Sequence, residues 1–203
     1  MLFVMDTFTP WTGERLELNT QAYTTETSTA LPSLPSPCVT LKYQPSGLTF
    51  WTQAPWWENP EPDETPGSVW GLWDYEVLEI FIVGEGGRYL ELEIGPYGHY
   101  LMLMLSAPRE IEQRQLAPDR LECLRTSSEL VQEVTGSWSS EGLINSEHLP
   151  APYLNEEMRP YWRVNSFWCF NRGSQRYHCC AYPLPGDRPN FHQPERFPQW
   201  VLS

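Results

Sequence analysis

The chain contains 203 residues, 40% of them apolar, with 10 Trp, 10 Tyr and 8 Phe, which is enough aromatic material for a dense core and argues against a disordered chain. Because large β domains of this length routinely fold as one unit, we predict a single domain over residues 1–203, in which residues 38–203 carry the recognisable motifs and residues 1–37 form an N-terminal extension or an edge segment. The 13 Lys and Arg residues stand against 26 Asp and Glu residues, a formal net charge of −13, so nucleic acid is excluded as an expected partner.

The chain carries no recognisable export or membrane signal. Residues 1–20 lack a basic stretch followed by an apolar one, and no apolar run approaches the length that spans a bilayer. The cysteines form an odd set without the spacing of a disulfide scaffold: Cys38, Cys123, Cys169, Cys179 and Cys180. We therefore expect reduced thiols, a cytoplasmic location and no membrane partner.

Two proline-rich segments, residues 31–37 and 54–67, are predicted to be long loops, because proline fits neither a helix interior nor a central strand. The second segment is acidic and carries adjacent Trp56 and Trp57, so we expect it to fold back over the domain or to form a rim near a site. Residues 47–54, which are rich in β-formers, predict a strand.

Three successive strands are the clearest feature of the chain: residues 76–83, 88–94 and 99–105, separated by glycine-containing turns. Successive side chains of a strand point to opposite faces of the sheet. One face is predicted to form the core with Leu78, Ile80, Ile82, Leu90, Leu92, Ile94, Leu101, Leu103 and Leu105. The other face then carries Val77, Glu79, Phe81, Tyr89, Glu91, Glu93, Tyr100, Met102 and Met104. This second set is more aromatic than a purely solvated face would be.

A second hairpin is predicted from residues 162–170 and 176–182, with its turn at residues 171–173. Residues 110–116 are compatible with a short helix, and residues 120–125 with a strand. Because no repeat or helical heptad appears, the predicted fold class is all-β, a two-sheet antiparallel β-sandwich with long proline-rich loops.

Three segments of the chain resemble the family 9 carbohydrate-binding modules. Residues 73–82 (Trp-Asp-Tyr-Glu-Val-Leu-Glu-Ile-Phe-Ile) resemble the family's Trp and the strand that follows it. Residues 89–98 (Tyr-Leu-Glu-Leu-Glu-Ile-Gly-Pro-Tyr-Gly) resemble the next strand and its turn, and residues 191–197 (Phe-His-Gln-Pro-Glu-Arg-Phe) resemble the closing segment. The match is tighter to a group of short stand-alone proteins with a family 9-like domain, for which no activity is established.

The resemblance implies a DOMON-like, jelly-roll-like sandwich in which two aromatic residues clasp one sugar ring and a carboxylate binds its hydroxyls. Trp73 matches the first clasping Trp, and Glu79 matches the glutamate six positions later. Phe191 falls where the second Trp stands, and Glu91 stands where the modules carry a basic residue. The sugar preference of the modules is therefore not expected to carry over.

From the residues alone, two interpretations of Trp73 and Glu79 stay open. Aromatic rings stack on the C–H faces of sugars, and carboxylates accept paired hydrogen bonds from vicinal hydroxyls, as a binding site requires. Alternatively, Trp73 caps an edge of the sandwich and Glu79 pairs with an arginine. The resemblance favours binding. We predict a non-catalytic site for a carbohydrate or small polar ligand, at one end of the sandwich, formed by Trp73, Glu79, Glu91, Phe191 and His192.

Two other functions stay open. Glu79 with Glu91 or Glu93 has the composition of a glycosidase pair, whose carboxyl groups lie roughly 5 to 10 Å apart. Glutamates on a sheet face are more often simply solvated, so catalysis is the less favoured alternative and the enzyme question stays open.

A protein partner is the second alternative. The loop with Trp56 and Trp57, and the stripe of Tyr100, Met102 and Met104, would suit protein docking as well as a glycan.

No cofactor is predicted. The cluster of Cys169, His178, Cys179 and Cys180 suggests a zinc site. Against it, Cys179 and Cys180 must face opposite sides of a strand, and no Cys-x-x-Cys pair accompanies them. Buried thiols are therefore favoured over a metal site. No motif indicates a structural calcium ion, a phosphate cradle or a serine nucleophile, and no particular oligomeric state is predicted.

Overall fold

A computed structural model describes residues 11–12, 15–19, 21–24, 37–131, 134–186 and 189–202 of the chain. The strands in this part of the chain are β1 (Trp11–Thr12), β2 (Arg15–Asn19), β3 (Gln21–Thr24), β4 (Cys38–Gln44), β5 (Gly47–Trp56), β6 (Val77–Val83), β7 (Tyr89–Ile94), β8 (Tyr100–Ala107), β9 (Glu110–Leu116), β10 (Arg120–Val131), β11 (Val134–Asn145), β12 (Tyr153–Leu154), β13 (Pro160–Arg172), β14 (Gln175–Cys180) and β15 (Gln199–Val201). Single turns of 3₁₀ helix occur at Leu72–Asp74, Glu85–Gly87, Ser146–His148 and Pro194–Arg196. Within the described ranges, no helix has the length and apolar character needed to cross a bilayer.

Two sheets pack face to face, which confirms the predicted all-β sandwich. The larger sheet has the order β1-β15-β13-β6-β7-β8-β9, with β12 and β14 also paired to β13, and β3 paired to β14. The smaller sheet has the order β10-β11-β5-β4-β2. Neighbouring strands are antiparallel except for the parallel pair of β1 and β15. The strands of residues 11–24 lie at the margins of the two sheets.

The main core lies between the two sheets and is built from alternate residues of their strands. On the larger sheet it buries, as predicted, Leu78, Ile80 and Ile82 of β6 and Leu90, Leu92 and Ile94 of β7. On the smaller sheet it buries Val39, Leu41, Leu48, Phe50, Ala54, Trp138 and Ile144. Full burial of each large apolar side chain stabilises the fold by about 1.5–3 kcal/mol.

Strand β8 faces the opposite way to the prediction. Its residues in the main core are Met102 and Met104. Those on the other face of the sheet are Leu101, Leu103 and Leu105. Ile94 pairs with Tyr100 across the turn of residues 95–99, and directly paired residues of antiparallel strands share a face. The prediction for this strand was wrong because Leu and Met are both apolar, so the length of the turn set the register and the residue pattern did not.

The outer face of the larger sheet is also largely covered. A second apolar cluster contains Phe81, Tyr89 and Phe167 of its strands together with Phe197 of the C-terminal segment. Where this cover is incomplete, the sheet face lines a cavity.

Hydrogen-bonded pairing tests several other sequence predictions. The predicted second hairpin is confirmed as β13 and β14, with a left-handed glycine, Gly173, in its turn (φ 60°). Residues 110–116 form strand β9 paired to β8, so the helix alternative was wrong. Strand β5 runs on to Trp56, three residues into the predicted loop of residues 54–67. The predicted loop of residues 31–37 lies outside the described residues apart from Pro37.

Candidate functional site

A cavity of about 630 Å³ opens on the outer face of the larger sheet. Its floor is formed by strands β6, β7, β8, β13 and β14, and its walls by the 3₁₀ turn at Leu72–Asp74 and the C-terminal segment. The volume falls within the range of about 300–1,000 Å³ that is typical of small-molecule sites.

All five residues proposed from the sequence line this one cavity: Trp73, Glu79, Glu91, Phe191 and His192. They come from four separate parts of the chain and are brought together by strand pairing and by the return of the C-terminal segment over the sheet. The cavity lies on a sheet face, however, and not at one end of the sandwich, so the expected location was wrong. The alternation of side chains along the strands predicted that the glutamates share one face of the sheet. Only the structure shows that loops cover this face and keep it from being solvated.

Three glutamates lie side by side on the cavity floor. Glu79 of β6 is directly opposite Glu93 of β7, and Glu91 lies two residues from Glu93 on the same face, so their Cβ atoms are only about 4.5–8 Å apart. Glu79 is 4% exposed, Glu91 5% and Glu93 0%. Carboxylates placed directly opposite each other in a sheet repel one another, and burial adds a desolvation cost.

Burial changes the protonation of these three groups. Desolvation raises the pKa of Glu79 to about 7, against the opposing influence of the nearby Arg176. Desolvation and then the charge of Glu79 raise the pKa of Glu91 to about 8. The same two causes raise the pKa of Glu93 well above its ordinary value. Near neutral pH the cluster therefore holds protons that an exposed glutamate would have lost.

Few donors reach the cluster. The Cys169 thiol donates to Oε1 of Glu79 at 3.7 Å. Among the described residues, no other donor reaches Oε2 of Glu91 or either carboxyl oxygen of Glu93. The carboxyl groups of Glu91 and Glu93 lie close enough to influence each other's protonation, but no hydrogen bond joins them. Buried polar atoms normally have partners, so these oxygens stand out as acceptors open to a ligand.

Two tryptophans form an exposed aromatic wall. Trp73 is 39% exposed and Trp70 is 54% exposed. Their rings pack edge to face, with centroids 5.0 Å apart and an interplanar angle of 83°. The guanidinium of Arg114 lies 4.9 Å from the centre of the Trp70 ring. Large exposed aromatic rings are uncommon unless they meet a ligand or a partner.

Phe191 belongs to a more closed part of the wall. Its ring stacks on Phe167 at a centroid distance of 4.0 Å and an angle of 12°, and the His178 ring lies edge-on at 5.8 Å. One face of Phe191 is thus occupied by the sheet, and at most the other face is available to a ligand.

His192 is held by a buried tyrosine. Nδ1 of His192 lies 2.7 Å from the Tyr89 hydroxyl, and that hydroxyl oxygen accepts the main-chain N–H of Arg109 at 3.3 Å. Desolvation first, then the charge of Arg109, lowers the pKa of His192 to about 4, so the ring is neutral at pH 7. When Tyr89 donates to Nδ1, the ring proton is on Nε2, and His192 is then a neutral donor beside the cavity.

Arg176 was missed by the sequence argument. It lines the cavity from β14, and its Nη2 donates to the main-chain oxygens of Trp73 at 2.6 Å and Tyr75 at 2.7 Å. The signal for it was weak: in the predicted hairpin, alternation put residues 176, 178 and 180 on one face. Nothing in the local sequence indicated that the guanidinium would reach the 3₁₀ turn.

The zinc alternative finds no support in the geometry of the described side chains. Cys169 and His178 line the cavity, but Cys179 packs in the main core on the other face of the sheet. No group of three His, Cys, Asp or Glu side chains in the described ranges is placed to hold a metal ion.

Both surfaces suggested for protein docking are largely buried. Met102 is fully buried and Met104 is 3% exposed, because both lie between the sheets. Trp57 is buried and stacks on Phe170 at 5.1 Å. The segment with Trp56 and Trp57 therefore folds back over the domain, which was the first of its two predicted alternatives.

The fold defines the class of protein: a two-sheet antiparallel β-sandwich. A solved structure from Bacteroides uniformis, described as a candidate carbohydrate-binding protein, has a TM-score of 0.60 at 14% identity and covers 92% of this chain and 87% of that one. A family 9 carbohydrate binding module from Caldicellulosiruptor kristjanssonii, solved with cellotriose, has a TM-score of 0.49 at 10% identity, with 82% and 74% covered.

The chain belongs to the UPF0462 family. It is 31% identical over 176 residues to the UPF0462 protein C4orf33 homolog of Danio rerio, covering 81% of each chain. It is 29% identical over 160 residues to UPF0462 protein C4orf33 of Homo sapiens, covering 74% of this chain and 72% of that one. No protein-family model matches the sequence.

Proposed function

We propose that the cavity binds a carbohydrate or sugar-like ligand and does not transform it. The observation that carries this proposal is the set of buried, unpartnered oxygens of Glu91 and Glu93 in a cavity whose wall is the exposed ring of Trp73. A sugar complements both groups, because its O–H groups donate to the carboxyl oxygens and its C–H faces pack on the indole of Trp73.

The resemblance of residues 73–82 to family 9 modules supports the same assignment, since Trp73 and Glu79 match the clasping Trp and the glutamate of those modules. The Bacteroides uniformis protein described as a candidate carbohydrate-binding protein offers a precedent on the same fold. Phe191, with one face against Phe167, would contact the ligand through its other face or its edge.

Binding without turnover is proposed because the three glutamates lie side by side on the cavity floor, where Glu79 and Glu93 are direct neighbours in the sheet. The two carboxyl groups of a glycosidase flank the scissile bond, one as a protonated acid and one as an ionised carboxylate. Turnover of chromogenic glycosides by the wild type, abolished in a folded Glu79→Gln variant, would replace this proposal with a catalytic one.

The experiment is a glycan array with the purified chain, followed by calorimetric titration of the selected glycan. Trp73→Ala should weaken binding at least tenfold, because it removes the exposed stacking face. Trp51→Ala is the matched control, since Trp51 is exposed to nearly the same degree (37%, against 39% for Trp73) but lies on the smaller sheet. Affinity unchanged in Trp73→Ala, or lowered equally in Trp51→Ala, would show that the cavity is not the binding site.

A further inference from the structure

In the described part of the chain, the glutamate cluster has no positively charged partner in direct contact. Among the described residues, no Lys, Arg or His forms an ion pair with Glu79, Glu91 or Glu93. Buried carboxyl groups are normally paired with a cation or bound to a metal. Three of them side by side, each at least 95% buried, therefore represent an unbalanced charge if they ionise.

The nearest guanidinium groups are occupied elsewhere. Arg176 donates to the main-chain oxygens of Trp73 and Tyr75 and to Oδ1 of Asn171. Arg109 donates from Nη2 to Oδ1 of Asn190 at 3.3 Å. Arg176 acts on Glu79 through its charge at a distance, but neither arginine brings an N–H group to the carboxyl oxygens of the three glutamates.

The unpartnered oxygens form a second and separate indication of a ligand. Oε2 of Glu91 and both carboxyl oxygens of Glu93 are buried, lack a donor among the described residues and belong to side chains that line the cavity. A ligand group that donates several hydrogen bonds and carries positive charge would satisfy all three atoms. An ammonium group has three donors and one charge.

The aromatic wall suits the same chemistry. Cations bind over the faces of aromatic rings, and tryptophan is the best of them. Trp73 presents an exposed ring beside the glutamates. Arg114 lies over the neighbouring Trp70, which shows that this wall already attracts one cation.

From these observations we infer that the ligand of the cavity carries a protonated amine, so that a sugar-like ligand is an amino sugar and not a neutral one. This inference rests on the proposed function and names the ligand class of the same site. The ammonium group binds against Glu93 and Glu91, and the body of the ring packs on Trp73. A metal ion is the less suitable cation, because the described side chains form no group of three with metal-binding geometry.

Binding of such a cation should displace protons from the glutamates. The titratable and charged groups that surround the Glu91–Glu93 pair are Asp74, Glu79, Tyr89, Arg109, Cys169, Arg176, His178 and His192. Desolvation keeps both histidines neutral at pH 7, since their pKa values are lowered to about 4. An added positive charge favours the ionised form of each carboxyl group. Protons released on binding therefore come from the glutamates.

The test is calorimetric titration at pH 7 with three matched pairs of sugars: glucose and glucosamine, galactose and galactosamine, mannose and mannosamine. We expect the amino form to bind at least tenfold more tightly in the pair that fits, with proton release that appears when the titration is repeated in buffers of different ionisation enthalpy. Glu93→Gln should reduce that preference to less than threefold. Glu112→Gln, on the exposed pair with Arg88, should leave it unchanged.

The outcomes separate the two proposals. If the neutral sugar binds as well as its amino counterpart, this inference fails and the proposed function stands. If no sugar of either kind binds, both fail. If Glu93→Gln does not fold, Glu91→Gln and the buffer dependence of the wild type provide the same test. Binding of the amino sugar to the wild type without proton release would contradict the inference.

Discussion

Arg176 donates from Nη2 to the main-chain oxygen of Trp73 at 2.6 Å, across 103 residues of sequence. The same nitrogen also donates to the main-chain oxygen of Tyr75 at 2.7 Å. A charged donor thus fixes the backbone of the short turn that presents the exposed indole, from a strand on the cavity floor. These two hydrogen bonds therefore tie strand β14 to the turn that orients Trp73 in the aromatic wall.

We expect Arg176→Lys to weaken ligand binding about three- to tenfold, because a lysine keeps the charge but loses the planar fork that holds the turn. The free energy of unfolding should fall by about 1–3 kcal/mol, the usual contribution of charge-assisted hydrogen bonds. Calorimetric titration and denaturant unfolding measure the two effects. Arg120→Lys is the control, since Arg120 forms an ion pair with Glu141 on the smaller sheet, away from the cavity. An equal loss of affinity in both variants would contradict a positioning role for Arg176.

The stability of the unliganded protein should fall as pH rises from 6.5 to 8.5. The pKa of Glu79 is raised from 4.5 to about 7 and that of Glu91 to about 8, mainly by desolvation. In this window the folded state keeps protons that the unfolded state has lost, so the folded state binds more protons and its stability decreases with pH. The neutral histidines act with the opposite sign, but only below about pH 6.5, where their ordinary pKa lies.

Thermal unfolding over this pH series is the measurement. Glu93→Gln should flatten the slope, because it removes one titrating group and one source of repulsion, whereas the exposed Glu141→Gln should not change it. A melting temperature that is constant or rises between pH 6.5 and 8.5 would show that the glutamates are ionised in the folded protein.

Tyr89→Phe should destabilise the protein by about 1–3 kcal/mol, because it leaves the Arg109 N–H and Nδ1 of His192 without their shared partner. The His192 ring would lose its preferred tautomer, and nitrogen chemical shifts of the ring would report that change. Ligand affinity should fall as well if Nε2 of His192 donates to the ligand. Tyr153→Phe, in a partly buried tyrosine of β12, serves as the control, and an unshifted His192 spectrum in Tyr89→Phe would contradict the assignment.

Gly142→Ala should destabilise the fold by more than about 2 kcal/mol, since overpacking of a dense core forces backbone shifts. Gly142 of β11 pairs with Phe50 of β5, and an added Cβ would overlap the Phe50 ring and the main-chain oxygen of Arg120. Denaturant unfolding measures the effect, with Ser139→Ala as the control on the same strand. A change below 0.5 kcal/mol, which is typical of surface sites, would mean that the sheets can separate locally.

Much of the fold follows from local properties of the sequence. Alternation is a consequence of strand geometry, so the placement of Glu79, Glu91 and Glu93 on one face needed no knowledge of distant residues. Glycine-containing turns marked the ends of β6, β7 and β8 for an equally local reason. The five residues proposed from the sequence also line one cavity.

Tertiary structure alone decided the rest. The register of β8 depends on the turn of residues 95–99. This register puts Met102 and Met104 in the main core, where the leucines of β8 were predicted. The burial of the glutamates depends on the C-terminal segment folding back over the sheet, which no period in the sequence encodes. The hydrogen bond from Arg176 to Trp73 likewise joins residues far apart in sequence and is not indicated by any local pattern. Alternation is set within each strand by covalent geometry, whereas desolvation and long-range hydrogen bonds exist only once distant segments pack together. Desolvation and these hydrogen bonds turn a sheet face into a cavity whose glutamates have raised pKa values.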